Sequence, residues 1–197
     1  MRIQDLIIKH NALKPEKGRI LISEPFMIGE PFERSVVLLC EKGDQGHLGF
    51  VLNKPIGFFL DEVMTIEGKI PKIPIYLGGP VAAKRLFYLH TLGTEIQGAI
   101  PINDKLYMDG DLDQLIARLS KDESLSKNVR FFVGYSGWTE GQLEAEIRDD
   151  AWMVSKINPK EVFKLCEDSS KMWKKYLQQL GEKYRVWSTY PLIPELN

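Results

Sequence analysis

The sequence predicts a single α+β domain with a mixed, mostly antiparallel sheet and helices packed outside it. Candidate strands cluster in the first half of the chain, whereas helical patterns dominate the second half. Because strands and helices do not alternate regularly, α+β fits better than a doubly wound α/β sheet. A length of 197 residues suits one domain with a sizeable core, which we assign to residues 1–197. The sheet is expected to be either open or curled toward a barrel.

The first half of the chain begins with a helical pattern and continues with strands separated by turns. Residues 1–13 mix apolar and charged residues as an amphipathic helix does, without the continuous apolar core of a signal peptide. Apolar and β-branched runs predict strands at 19–23, 35–41, 47–53, 73–77 and 86–90, and weaker ones at 98–102 and 105–108. Turn residues at 42–46 join the second and third strands into a hairpin. Residues 58–64 are predicted to be helical.

The second half contains the clearest helix signals. Asp111 is placed to cap a helix in which Leu112, Leu115 and Leu119 lie on one apolar stripe. A final strand is predicted at 151–155. Asn158 followed by Pro159 then starts a helical C-terminal region, residues 158–197, because this pair combines a capping side chain with a proline at the first helical position.

One stretch, residues 128–147, is predicted to fold as a buried strand, a glycine turn and a helix. The strand covers 129–133, and the turn contains glycines 134, 137 and 141. Thr139 and Gln142 have the spacing of a capping box, which would start the helix. Trp138 and Trp152 flank this helix, and we expect both to be largely buried and to pack it onto the sheet.

Composition and charge exclude several classes of protein. The formal net charge is −1, which argues against strong non-specific attraction to DNA or anionic lipid. Residues 104–150 carry 11 acidic and 6 basic residues, and residues 156–185 carry 8 basic and 4 acidic residues, a pattern of solvated helix faces or of a partner surface. No run of about 18 apolar residues exists to cross a membrane. Two cysteines far apart suggest free thiols and a cytoplasmic protein.

Motifs for catalysis and for metal binding are weak. Residues 134–138 approach the Gly-x-Ser-x-Gly pattern of a nucleophile elbow, but Trp138 occupies the last glycine position and no histidine follows Ser136. A serine that bonds nearby backbone is the better interpretation. No paired-cysteine or His-x-x-x-His motif is present, and Cys40 with His47 is a weak ligand pair. We therefore expect no catalytic residue, no metal and no cofactor.

A small polar cleft is the best ligand-binding candidate that the sequence offers. Arg34 begins the second strand and Asn53 and Lys54 end the third, so an antiparallel hairpin places them at one edge. If Gly78 and Gly79 reach the same edge, their amides and the two cations favour a small anionic ligand. The alternative is that Arg34 pairs with a carboxylate such as that of Glu33 or Glu144 and stabilises the fold.

Four segments of the chain resemble the AlgH/YqgE family of bacterial proteins. They are residues 32–41, 46–55, 75–81 and 134–147, with a further match at Trp152. This chain has Ser136 where the family commonly has alanine, and Gly46-His47-Leu48-Gly49 where Gly-Ala-Met-Gly is more usual. The resemblance implies a single α+β domain in a bacterial cytoplasm. The family is often labelled a transcriptional regulator, and no enzymatic activity is firmly attached to it.

Three functions remain open at this point. The leading hypothesis is a non-catalytic binding or regulatory protein that uses the polar cleft or the charged helix faces for a protein partner or small anionic ligand. The second is direct DNA-binding regulation, which the net charge and the lack of a helix-turn-helix pattern disfavour. The third is an enzyme that acts on a small anionic substrate at a cleft formed by Arg34, Asn53 and Gly79.

Overall fold

The structure, a computed structural model, describes residues 9–165 and 168–191. This part of the chain forms strands β1 Arg19–Ser23, β2 Val36–Gly43, β3 Gly46–Val51, β4 Pro55–Phe59, β5 Pro74–Leu77, β6 Val81–His90, β7 Ile100–Pro101, β8 Tyr107–Met108, β9 Val129–Trp138 and β10 Trp152–Lys156. The α-helices are α1 Leu60–Val63, α2 Leu112–Lys121, α3 Gln142–Arg148, α4 Pro159–Val162, α5 Ser169–Gln179 and α6 Glu182–Trp187. Short 3-10 turns lie at Gly93–Glu95 and Glu123–Asn128.

The strands form one open sheet in a single α+β domain, as the sequence predicts. Its main path runs β10-β1-β2-β3-β9-β6-β8-β7 through antiparallel pairs. Strand β5 lies off this path, pairs β9 in parallel and also pairs β4. The option of a barrel is wrong, because the path ends at two different edge strands, β10 and β7, within the described residues.

The sheet is covered on both faces, which explains why its central strands are apolar throughout. On one face Ile20 and Leu38 pack in the same cluster as Trp173 of α5. On the other face Leu21 packs with Leu143 of α3. A third cluster, built on α2 and the first residues of β9, extends this second layer. Alternate residues of one strand thus enter different layers, as the two-residue period of a strand requires.

Strand β9 lies at the centre of the sheet and is crossed by the chain that links its two neighbours. Leu77 of β5 and Leu86 of β6 both pair with Val133, on opposite edges of β9. Since β5 and β6 follow each other in sequence, the three residues Gly78–Pro80 must cross over β9. The Ser136 hydroxyl donates a hydrogen bond to the Gly78 carbonyl (3.0 Å), which ties the crossover to the strand beneath it.

Three glycines allow this crossover, because the two backbones approach more closely than any side chain permits. A methyl group placed on Gly78 would lie 2.3 Å from the Gly134 carbonyl oxygen. One placed on Gly134 would lie 2.4 Å from the Gly79 carbonyl oxygen. Gly134 also has φ of 69°, in the left-handed region that glycine occupies without steric cost. The residue type at these positions is therefore dictated by the topology of the sheet.

The prediction of a glycine turn at 134–137 is wrong. Strand β9 continues to Trp138, and its last residues pair with β3 through Gly49 and Ser136. The glycines accommodate the crossing chain instead of reversing the direction of β9. Helix α3 begins at Gln142 after the N-cap Gly141. One half of the predicted capping box is confirmed, since the Thr139 N–H donates to Gln142 Oε1 (3.0 Å).

The two tryptophans that flank α3 are buried, as predicted. Trp138 and Trp152 pack with Leu143 and Ile147 of the helix. The indole N–H of each ring donates to the same atom, Glu146 Oε2, at 2.8 Å. The helix is therefore held on the sheet by apolar packing and by one carboxylate that satisfies both buried indole donors.

Other predicted elements are partly confirmed. The helix predicted at 58–64 is only the four residues of α1, and strand β4 precedes it. Asp111 and Asn158 cap α2 and α4 with their side chains, as expected. The sequence did not reveal α6, which follows Gly181. The helix predicted at 1–13 falls mostly outside the described residues, and its remaining residues 9–13 are not helical.

Replacing Gly134 by alanine should destabilise the fold severely, because the added methyl group meets the crossover backbone. Gly57→Ala is the matched control, since Gly57 has φ of 79° and nothing within 4 Å of the added carbon. The control should cost about 1–2 kcal/mol for its left-handed backbone alone. We expect Gly134→Ala to lower the free energy of unfolding in urea by clearly more than this. Equal losses in the two variants would contradict the role assigned to the crossover.

Candidate functional site

The four segments that carry the family resemblance meet at one groove of about 530 Å³. We call it the hairpin groove. The turn between β2 and β3 forms one wall, Val81 enters from β6, and the end of β9 supplies the floor and the far wall. The lining residues are Glu41, Gly43, Asp44, Gln45, Gly46, His47, Leu48, Val81, Tyr135, Gly137, Trp138 and Thr139. Each of the four segments contributes to this set.

The floor of the hairpin groove exists because Gly137 has no side chain. It pairs with Leu48 of β3, and both lie on the face of the sheet that also carries Tyr135. The Tyr135 ring is half-buried and packs edge-on against Phe87, with ring centroids 5.7 Å apart. Val81 is 39% exposed beside it. The groove therefore offers a fixed aromatic ring and apolar side chains around exposed backbone.

The rim of the hairpin groove is acidic. Glu41 and Asp44 are exposed, and neither forms an ion pair with a described residue. The lining residues include no lysine or arginine in the part of the chain that the structure describes. His47 adds no compensating charge at neutral pH, because burial of its ring lowers its pKa further below 7. Its Nε2 lies 3.8 Å from Glu144 Oε1 on α3.

The five residues predicted to form an anion-binding cleft come close together. The Asn53 side chain donates to the Arg34 carbonyl (2.9 Å) and accepts from the Val36 N–H (2.8 Å), so the hairpin geometry is as expected. The Lys54 carbonyl accepts from the Leu77 N–H, which brings the following Gly78 to the same region.

Polar groups of Arg34, Asn53, Lys54 and Gly78 bind other parts of the protein, although the buried Arg34 Nε has no hydrogen-bond partner. Asn53 is fully buried. The Arg34 guanidinium donates to the Tyr190 carbonyl (2.6 Å) and lies over the Trp173 ring, not against Glu33 or Glu144. Lys54 pairs with Glu30 (3.1 Å), and the Gly78 N–H donates to the Val133 carbonyl. Anion binding by Arg34, Asn53, Lys54, Gly78 and Gly79 stays a prediction.

Ser136 and Cys40, considered above for catalysis and for metal binding, lie inside the core. Ser136 is fully buried, and its hydroxyl donates a hydrogen bond to the Gly78 carbonyl of the crossover. This contact gives Ser136 a structural role. Cys40 is also fully buried, and burial raises the pKa of its thiol well above the ordinary value, which disfavours a reactive thiolate. The described residues contain no group of three potential metal-ligating side chains. None of their helices combines the length and apolar character that a membrane crossing requires.

His90 is the other buried histidine, and its neighbours fix it in the neutral state. Its Nδ1 accepts from the Leu92 N–H (3.2 Å), so Nε2 carries the proton and donates to the Asp109 carbonyl (3.0 Å). A proton on Nδ1 would face the Leu92 N–H. Burial lowers the pKa of His90, while the bond to Asp109 opposes this in part.

Sequence reasoning did not find the hairpin groove. In the sequence, its two acidic residues, Glu41 and Asp44, cannot be told from other charged residues on the surface of a hairpin. Gly137 has the sequence context of a turn glycine. The available signal was the set of four family-like segments, each of which contains at least one residue that lines the groove. That grouping indicates a shared site, but only the three-dimensional structure identifies which of their side chains face it.

The two buried histidines should make the protein less stable as the pH falls. A histidine whose pKa is lower in the folded protein is protonated more readily in the unfolded chain. The free energy of unfolding therefore decreases below about pH 6.5. His90→Gln keeps a donor for the Asp109 carbonyl but does not titrate. Between about pH 7.5 and pH 5.5 its melting temperature should fall less than that of the wild type. Identical slopes would show that His90 does not titrate as the geometry requires.

Comparison with known proteins identifies the family. The AlgH-like family model matches residues 20–185. A UPF0301 protein of Bacteroides thetaiotaomicron is 41% identical over 190 residues, covering 96% of this chain and 95% of the relative. A UPF0301 protein of Parabacteroides distasonis is 44% identical over 191 residues, covering 96% of each chain.

Solved structures agree with the observed fold. The solution structure of the AlgH protein from Pseudomonas aeruginosa has a TM-score of 0.68 and 31% identity, covering 89% of this chain and 94% of that one. A crystal structure of a Corynebacterium diphtheriae protein has a TM-score of 0.73 over 96% and 98% of the two chains, and at 22% identity it supports the fold alone. The resemblance noted in the sequence is thus confirmed, and this chain belongs to the AlgH-like family.

Proposed function

We propose that this protein is a non-catalytic binding protein that recognises a basic segment of a protein partner in the hairpin groove. The observation that carries the proposal is the meeting of all four family-like segments around a groove with an apolar floor and an acidic rim. A pocket of this size is within the range that binds small ligands or a few side chains of a peptide. Each of these segments contributes residues to the accessible surface of the groove.

The chemistry of the groove selects a lysine or arginine side chain with an apolar neighbour. Glu41 and Asp44 attract a cation, and an aromatic face binds a cation that lies within about 6 Å of the ring. Tyr135 supplies that face from a ring that is held in place by Phe87. Leu48 and Val81 supply apolar contact for the adjoining side chain. Aromatic anchors surrounded by a polar rim are characteristic of protein recognition sites.

The alternative of an enzyme has less support from the geometry. Ser136, Cys40 and His90 are each completely buried, and Ser136 and His90 bond the protein's own backbone. The acidic rim also makes the hairpin groove itself a poor site for a small anionic substrate. Arg34 and Asn53, which the sequence assigned to that substrate, bind backbone carbonyls.

The alternative of direct DNA binding also has less support. Three lysines of the basic C-terminal region, in α5 and the loop before it, have acidic partners. Lys171 lies 3.9 Å from Asp168, and both Lys164 and Lys175 pair with Glu161. These carboxylates lower the positive potential that phosphate contacts require.

The binding proposal is tested by titrating the protein with a short peptide of alternating lysine and leucine. Binding is monitored through the chemical shifts of the protein's backbone amides. Shifts should occur at residues 43–48 and at Gly137. Glu41→Gln should weaken binding by up to about fivefold, since an exposed ion pair contributes at most about 1 kcal/mol. Glu67→Gln, which removes an exposed carboxylate elsewhere, is the matched control. Tyr135→Leu should weaken binding while keeping apolar volume.

A peptide with glutamate in place of lysine serves as the ligand control. It should not bind, because the rim repels it. The proposal is wrong if both peptides bind equally, or if the shifts map away from the groove.

Direct DNA affinity should be in the non-specific range, roughly 10⁻⁴ to 10⁻⁶ M at physiological salt. The reason is the net charge of −1 together with the paired lysines of the C-terminal region. Fluorescence polarisation with labelled duplexes of different sequence measures this directly. Sequence-selective nanomolar binding would favour the regulator function over the peptide-binding function.

A further inference from the structure

A second pocket, about 560 Å³ in volume, lies at the opposite end of β9 from the hairpin groove. We call it the lysine pocket and define it by Lys105, Lys127, Lys160, Tyr107 and Phe163. We propose that it binds a phosphorylated small molecule that carries an aromatic ring, of the nucleoside diphosphate class. The proposal is independent of the function assigned to the groove.

The three lysines come from separate parts of the chain and converge without counter-ions. Lys105 precedes β8, Lys127 belongs to the 3-10 turn before β9, and Lys160 belongs to α4. None of their ammonium groups lies within 4.0 Å of a carboxylate of the described residues, whereas Lys54 and Lys72 do form such pairs.

This arrangement leaves a positive charge that a ligand can neutralise. Asp104 is the single acidic residue that lines the pocket, so three cations face one anion. Lysine ammonium groups bring no fixed plane of donors, and they bind phosphate as mobile point charges. A di- or triphosphate carries enough negative charge to relieve the repulsion among three of them.

The aromatic side chains of the lysine pocket can hold a planar ring. The Tyr107 ring stacks on the buried His90 ring, with centroids 5.8 Å apart and planes at 25°. His90 is held neutral by its two hydrogen bonds to the backbone, so the ring that supports Tyr107 adds no charge to the pocket. Phe163 also lines the pocket and is half-buried, and Leu92 adds apolar surface. Rings and aliphatic groups of this kind bind a base by stacking and by burial.

A smaller cavity of about 240 Å³ lies beside the lysine pocket, and Lys127 and Phe163 line both. Arg130 and Tyr76 line this second cavity, and the guanidinium lies 4.3 Å from the centroid of the Tyr76 ring. Arg130 is also bonded to the Leu52 carbonyl (2.8 Å), which fixes its position. A ligand that reaches past Lys127 and Phe163 would therefore meet a second cation and a second aromatic ring.

The proposal is tested by calorimetric titration of the intact protein with ADP, GDP, CDP and UDP, and with adenosine and inorganic phosphate as partial ligands. At least one nucleoside diphosphate should bind more tightly than either partial ligand. Lys127→Gln combined with Lys160→Gln should raise its Kd about tenfold. Lys121→Gln, which removes an exposed lysine of α2, is the matched control and should change the Kd less than twofold.

A second variant separates ring recognition from charge. Tyr107→Leu should weaken binding of the diphosphate and leave binding of inorganic phosphate unchanged. The proposal is overturned if none of the four diphosphates binds, if the lysine variants bind like wild type, or if a single-stranded decanucleotide binds more tightly than every mononucleotide.

Discussion

The close crossing of two backbones at Gly78–Pro80 and Gly134 is the constraint on which the rest of the fold depends. Consecutive strands β5 and β6 flank β9, and only three residues connect them. Such a short link must touch the strand that it crosses, so a side chain at either contact point has no room. The Gly78 carbonyl accepts hydrogen bonds from the Ser136 hydroxyl and the Val51 N–H, and the Gly78 N–H donates to the Val133 carbonyl, so both backbone polar groups of Gly78 are satisfied.

The same crossing determines where the hairpin groove lies. On one edge, β9 pairs with β5 before the crossover and with β3 beyond it. The final residues of β9 therefore project past the crossover and meet the β2–β3 turn. Gly134, at the crossing point, interrupts the alternation of the strand, so that Phe132 and Tyr135 both join the layer on one face. Tyr135 is thereby available to the groove.

Much of the fold follows from local sequence, but the site depends on contacts between distant segments. The strand at 19–23 and the helix capped by Asp111 are encoded within a few residues, and both were predicted. The length of β9 was not predicted, because the sequence does not distinguish a glycine that makes room for a crossing chain from a glycine that forms a turn. The proximity of Arg34 and Asn53 followed from hairpin geometry, but their bonding to backbone required the structure. The lysine pocket was hidden because Lys105 and Lys127 lie in a stretch with an acidic total charge.

The two proposed sites lie at opposite ends of one strand. Lys127 and Asn128 precede β9, and Thr139 follows it, so about ten residues or roughly 33 Å of extended chain separate them. Coupling between distant sites requires an element that both ligands shift between two arrangements. The middle of β9 is bonded to neighbours on both edges, its Phe131 and Phe132 side chains are fully buried, and the crossover prevents sliding. Nothing in this arrangement supplies a second state for β9, so the basic segment and the phosphorylated ligand are expected to bind independently.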